Sequence, residues 1–188
     1  MTRVLGISGS LRRSSYNTAL LRAAVRLMPA EATLDVATIR GIPLYDYDVE
    51  VQGIPPAVTQ LKEAIAKADG LLLVTPEYNN SLPGVFKNAI DWLSRPPADV
   101  RRVFSGRPIA LIGASQGNWG TILSQAAWLP VLRTLGTQPW FGGRLVVPRA
   151  ATVFDEAGNL KDAGIEAQLR QFLAGFVGFV QQRAGRPG

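Results

Sequence analysis

The chain has 188 residues, a formal charge of +6 and neither histidine nor cysteine. With 47% hydrophobic and 18% charged residues and a mean hydropathy of +0.11, it has the composition of one globular domain, taken as residues 1–188, and not of a disordered chain. The missing cysteine excludes disulfides, thiolate metal sites and thiol nucleophiles, and the missing histidine excludes Ser-His-Asp catalysis and most zinc sites.

Met1 to Gly9 lacks the basic n-region and long apolar core of a signal peptide, and no apolar run is long enough to span a membrane. A cytoplasmic protein without membrane attachment is expected. The basic balance, with a pI of about 10.2, comes from dispersed pairs: Arg12 and Arg13, Arg101 and Arg102, Arg183 and Arg186. Without a cluster of cations interleaved with aromatics, small anions are the expected partners and nucleic acid is not.

The elements alternate along the chain. Residues 3–8 read as a strand closed by Gly9, and Asn17 to Leu27 as a helix with apolar Ala19, Leu20, Ala23, Ala24 and Leu27 on one side. A second strand is expected at 33–37. A second helix is expected from Pro56 to Ala68, stopped by Gly70. Leu71 to Val74 and Ile109 to Gly113 are apolar at nearly every position, as strands buried on both faces are. Between them a helix follows Pro83 and runs to about Ser94. Helices over 121–135 and 165–183 and a fifth strand at 144–147 complete the pattern. This rhythm predicts an α/β, doubly wound, three-layer α/β/α fold. Its five-stranded parallel sheet would take the flavodoxin-like order 2-1-3-4-5.

In such a sheet ligands bind beyond the carboxyl ends of the strands, near the switch point between the first and third. The loop Gly9 to Thr18 brings hydroxyls, Arg12 and backbone amides to a helix N-terminus, a suitable cradle for phosphate; an ordinary capped turn would read the same way. It matches neither GxxxxGK[ST] nor GxGxxG, which disfavours triphosphate hydrolysis and a Rossmann dinucleotide site. Pro76-Glu77-Tyr78-Asn79-Asn80 offers amides and a ring to a flat heterocycle. Ser115 to Gly120 adds small residues and Trp119, although Tyr78 and Trp119 would equally serve as packing. Three such loops on one edge point to a phosphorylated planar cofactor.

These residues resemble the NADPH-dependent FMN reductases of the flavodoxin-like superfamily, a group that includes quinone, chromate and azo-dye reductases. Gly9-Ser10-Leu11-Arg12 with Ser15 and Asn17 is similar to the family's GSLRxxSxN loop. Residues 75–95 are similar to its TPEYNxSxPGxxKNAIDWLSR signature. The resemblance covers Val4 to about Gly120 well. It implies that Ser10, Arg12, Ser15 and Asn17 hold the FMN phosphate, with Leu11 and Tyr16 in the same cofactor-binding loop. Pro76, Glu77, Tyr78 and Asn79 would line the isoalloxazine, largely through backbone groups, and Ser115 and Gly117 would close its other side. It also implies a homo-oligomer, with the helix bearing Asp91 and Trp92 at a subunit interface, alongside core packing of Phe86, Ile90 and Leu93. The family's Gly-Gly-Ala-Arg-x-Gln stretch reads Gly120 to Gln125 here, with Leu123 in place of the arginine. The implied activity is hydride transfer from NADPH or NADH through FMN to quinones, azo compounds, free flavin or metal oxyanions such as chromate. No protein acid or base is needed for it. The alternatives are a flavodoxin-type electron carrier, which the charge of +6 argues against, and a nucleic-acid module, for which no basic cluster is present.

Overall fold

The structure is a computed structural model that describes residues 1–184; Arg186 lies outside the described residues. The strands are β1 (Thr2–Ser8), β2 (Ala32–Ala37), β3 (Gly70–Val74), β4 (Pro108–Ala114), β5 (Gln138–Pro139) and β6 (Leu145–Val147). The helices are α1 (Tyr16–Arg26), α2 (Tyr47–Glu50), α3 (Pro56–Ala66), α4 (Gly84–Leu93), α5 (Val100–Val103), α6 (Ile122–Thr134), α7 (Ala150–Val153) and α8 (Ala163–Ala184). The sheet is parallel in the order β2-β1-β3-β4-β5, with β6 also paired to β4.

Successive strand residues face opposite sides, and both sides are covered. Leu72, Val74, Ala110 and Ile112 pack with α1 and α8, while Leu71, Leu73 and Ile109 pack with α3, α4 and α6. Gly70, expected to stop the preceding helix, instead begins β3. A Cβ there would lie 2.8 Å from Val180 Cγ2, so its lack of a side chain lets α8 lie directly on the sheet.

The fifth strand position holds two short segments in place of one run at 144–147. Gln138 and Pro139 pair with Pro108 and Ile109, and Leu145 to Val147 pair with Ile112 to Ala114. Trp140 makes the break by turning into a slot of glycines. A Cβ at Gly142, Gly143 or Gly175 would come within 2.5, 2.9 or 2.8 Å of its ring. There it meets Phe172 edge-on at 4.9 Å. Among the described residues no helix is long and apolar enough to cross a membrane.

Candidate functional site

Three loops leave β1, β3 and β4 side by side on the carboxyl edge of the sheet. Backbone bonds set them in line: Gly9 N–H to Val74 O at 2.9 Å, Thr75 N–H to Ile112 O at 2.8 Å, Ser115 N–H to Val147 O at 3.0 Å. Two glycines permit this closeness. A Cβ on Gly9 would strike the Phe86 ring of α4 at 2.2 Å, and one on Gly113 would sit 2.1 Å from Thr75 O.

The first loop ends in α1, whose N-cap is Ser15. Its Oγ accepts from Thr18 N–H at 3.3 Å, which leaves its own hydroxyl hydrogen and the N–H groups of Tyr16 and Asn17 outside the helix ladder. The Arg12 guanidinium donates to Ser14 O at 2.6 Å and lies 5.3 Å over the Tyr16 ring. That ring stacks on Phe154. Leu11 is exposed, and its carbonyl is held by Arg40 at 2.8 Å, a brace from the segment after β2 that carries no motif. Ser10 Oγ accepts a long bond from Arg12 N–H at 3.4 Å. The first acidic residue of the chain is Glu31, so Arg12 and Arg13 stand at the positive end of α1 with no carboxylate in their part of the sequence.

Asn17 has a different job for its side chain. Nδ2 donates to Ala114 O and Oδ1 accepts from Ala114 N–H, both at 2.9 Å, so the carboxamide pins α1 to the end of β4. What Asn17 still offers a ligand is its backbone N–H.

In the second loop Glu77 turns away from solvent. Its Oε2 accepts from Leu123 N–H and Ser124 N–H, each at 2.9 Å, and so caps α6. The amides of Leu123 and Ser124 are therefore already engaged within the chain. Asn79 and Asn80 take left-handed φ of 49° and 61°. Tyr78 and Ser81 exchange both backbone bonds around them at 3.0 Å, a tight two-residue turn that suits asparagine. Tyr78 stays half exposed at 47%. Beneath, Thr75 Oγ1 meets Ser124 Oγ at 2.9 Å, donates to the carbonyl of buried Pro76, and accepts from Trp128 Nε1 at 3.0 Å. Thr75 belongs to the signature, yet sequence reasoning gave it no role, because Ser124 and Trp128 reach it only in the fold.

In the third loop Ser115 is fully engaged. Oγ donates to Gly120 O at 2.5 Å, and its carbonyl accepts from Ala150 N–H at 2.9 Å. It therefore shapes the loop more than it offers donors. Gly117 is exposed, with its carbonyl held by Arg149 N–H at 3.0 Å. Trp119 does not pack at all; it is 78% exposed. Arg149 has left-handed backbone, φ 46° and ψ 45°, which costs of the order of 1 kcal/mol in a residue other than glycine.

The expected interface helix is partly corrected. Trp92 is fully buried, with Nε1 donating to Pro43 O at 2.9 Å and Tyr45 packed edge-on at 5.1 Å. Its own chain covers it. Asp91 is half-buried and paired with Lys87 Nζ at 2.7 Å.

A parallel sheet in the order 2-1-3-4-5, with the unpaired amides of the α1 head beside the loops that follow β3 and β4, defines a flavodoxin-like α/β class. The family model for NADPH-dependent FMN reductase matches residues 2–152. An NAD(P)H-dependent FMN reductase of Pseudomonas aeruginosa is 44% identical over 183 residues, 97% of each chain. A 2-hydroxy-1,4-benzoquinone reductase of a Burkholderia species is 36% identical, over 96% of this chain and 97% of that one. Among solved structures, a flavoenzyme NAD(P)H:(acceptor) oxidoreductase from Paracoccus denitrificans superposes with a TM-score of 0.87 at 31% identity, covering 97% of this chain and 99% of that one. The chain belongs to the NADPH-dependent FMN reductase family, and it is an FMN-dependent NAD(P)H oxidoreductase.

Proposed function

We propose that FMN lies along the carboxyl edge, with its phosphate at the head of α1 and its ring system across the turn at 76–79. The observation that carries this placement is the unneutralised cationic head of α1, where the Tyr16 and Asn17 amides, the Ser15 hydroxyl and Arg12 converge. Ser10 and the backbone of Leu11 complete the phosphate loop. Glu77 holds the ring-side loop in place, while Pro76, Tyr78 and Asn79 present backbone to the ring. Gly117, kept in position by Ser115, leaves room on the far side.

When bound, FMN supplies hydride acceptance from NAD(P)H and delivery to an acceptor. The residues orient both partners and favour negative charge through Arg12 and the dipole of α1; none has to move a proton. Quinones are the acceptor class best supported, since the related proteins include quinone reductases from Pseudomonas putida and Escherichia coli. Azo compounds, free flavin and metal oxyanions remain within reach of an open, small-residue loop. The reading includes a single domain over 1–188, a cytoplasmic location and a homo-oligomer.

The test is the visible spectrum of the purified protein after incubation with FMN, followed by NADPH in the absence of oxygen and then a benzoquinone. Bleaching and quinone-driven recovery are expected. A flavin that NADPH leaves yellow overturns the reductase reading in favour of a carrier, and no flavin uptake overturns the site.

A further inference from the structure

Beyond the loops assigned to FMN, the same edge carries an indole and a guanidinium without a role. Trp119 stands out in solvent, whereas Trp92 and Trp128 are buried and Trp140 fills its glycine slot. Arg149 is exposed and takes part in no ion pair among the described residues.

The two belong to one stapled unit. Arg149 N–H donates to Gly117 O at 3.0 Å, and Ala150 N–H donates to Ser115 O at 2.9 Å. Thr152 returns its N–H and Oγ1 to the Arg149 carbonyl at 2.8 and 2.9 Å. Gly120 presses on β6, where a Cβ would lie 3.0 Å from Val146 Cβ. The left-handed conformation of Arg149 is thus held on both sides of the residue, which keeps a cation next to the loop that carries Trp119. Gln116 and Asn118 lie exposed within that loop.

An exposed π-face and an unneutralised planar cation on one rigid rim match a purine ring bearing a phosphate. The ring stacks on the indole whatever its hydrogen-bonding edge, and guanidinium forks a phosphate dianion. We propose that Trp119 and Arg149 form the subsite for the adenosine 2′-phosphate end of NADPH, and that Arg149 gives the enzyme a preference for NADPH over NADH. This inference rests on the flavin placement above, with the dinucleotide entering from the loop at 115–120, which starts beside the loop assigned to the ring. Arg12 and Arg13 lie on the other loop, beside the site assigned to the FMN phosphate.

The test begins without flavin. The free protein is titrated with 2′-AMP and with 5′-AMP, followed by tryptophan fluorescence, to which Trp119 contributes the exposed indole. Both nucleotides are expected to quench, with 2′-AMP binding about ten-fold more tightly. Trp119→Ala, which lacks the reporting indole, is titrated by calorimetry and should bind neither nucleotide. Arg149→Asn, which tolerates the left-handed backbone, should bring 2′-AMP down to the affinity of 5′-AMP. In the FMN-loaded enzyme the same substitution should raise the NADPH KM about ten-fold and collapse the NADPH-to-NADH ratio of KM values.

An unchanged ratio in Arg149→Asn overturns the proposal, as does loss of 2′-AMP selectivity on Arg13→Ala in its place. A Trp119→Ala protein that changes oligomer on gel filtration yet binds both nucleotides normally also overturns it, since the indole then faces a second copy. Failure to load FMN defeats the functional reading alone; the nucleotide titration still decides the subsite.

Discussion

The two ends of the sheet treat positive charge differently. Toward the amino ends of the strands several cations are matched, while Arg26, Lys67 and Arg133 at the ends of α1, α3 and α6 are in no ion pair among the described residues. Arg3 pairs with Asp35, Lys62 donates to Asp99 at 2.8 Å and to the Arg95 carbonyl, and Arg102 pairs with Glu63. Arg107 is buried against the carbonyls of Ala68, Val103 and Arg102; burial lowers its pKa, with the charge of Asp69 opposing. At the carboxyl edge Arg12, Arg13, Arg40 and Arg149 have no carboxylate partner among the described residues, and Glu77, the one carboxylate in the loops that follow β1, β3 and β4, is turned onto α6. The paired cations tie elements of the fold together, and the unpaired ones at the carboxyl edge stand beside the loops proposed to hold the cofactor.

The contrast breaks most visibly at Lys62, which is only 2% exposed. Lys62→Ala should lower unfolding free energy by about 3 kcal/mol, because it empties a buried site and leaves the Arg95 carbonyl without its donor and Asp99 with Arg102 alone, at 3.8 Å. Urea unfolding reads the loss, and FMN affinity of the folded protein should be kept. Asn17→Ala should cost about 2–3 kcal/mol of stability, since the N–H and C=O of Ala114 lose their partners in a buried place. It should weaken FMN binding as well, so the same titrations distinguish a pin from a pure ligand. Arg12→Ala should do the reverse of Lys62→Ala. Roughly 1.5–3 kcal/mol of FMN affinity goes with the charged hydrogen bond, while unfolding stays within about 0.5 kcal/mol of the parent. Equal FMN dissociation constants for parent and variant would remove Arg12 from the phosphate site.

Glu77→Ala loses a helix cap, about 1 kcal/mol in thermal unfolding, with Glu77→Gln retaining part of it as an acceptor. The smallest effect is a response to acid. Arg95, and then Tyr45, hydrogen-bond Glu50 and hold its carboxyl below the ordinary glutamate value. That contribution is complete above the ordinary value and disappears as pH falls through the lowered one. A melting series in acid should show it, and Glu50→Gln should flatten it.

The layered architecture was legible because β3 and β4 are short apolar runs that only a doubly covered sheet accommodates, and because α1 and α3 carry clear apolar stripes. The fifth strand position was legible in half: Leu145 to Val147 fall within the run expected at 144–147. Gln138 and Pro139 are too few to show a period, and the interruption depends on Gly175 of α8 receiving Trp140. The loops of the site were legible as loops, but the duties of single side chains were not. Asn17 and Glu77 were assigned to the cofactor through the resemblance, which does not show that their side chains bond to backbone groups 97 and 46 residues away. Arg40 gave no signal at all, since a guanidinium bracing one carbonyl leaves no pattern. Family resemblance supplied the cofactor; composition alone reached only a phosphorylated planar ligand.

The Asn17–Ala114 clasp also orders events in time. A bond spanning 97 residues forms only after β4 has been synthesised and docked between β3 and the chain that follows. The loop proposed to hold the phosphate is therefore incomplete until residue 114 of 188 is in place. On that placement ligand capture becomes a checkpoint on assembly, and a nascent chain released before residue 114 carries the motif without the clasp.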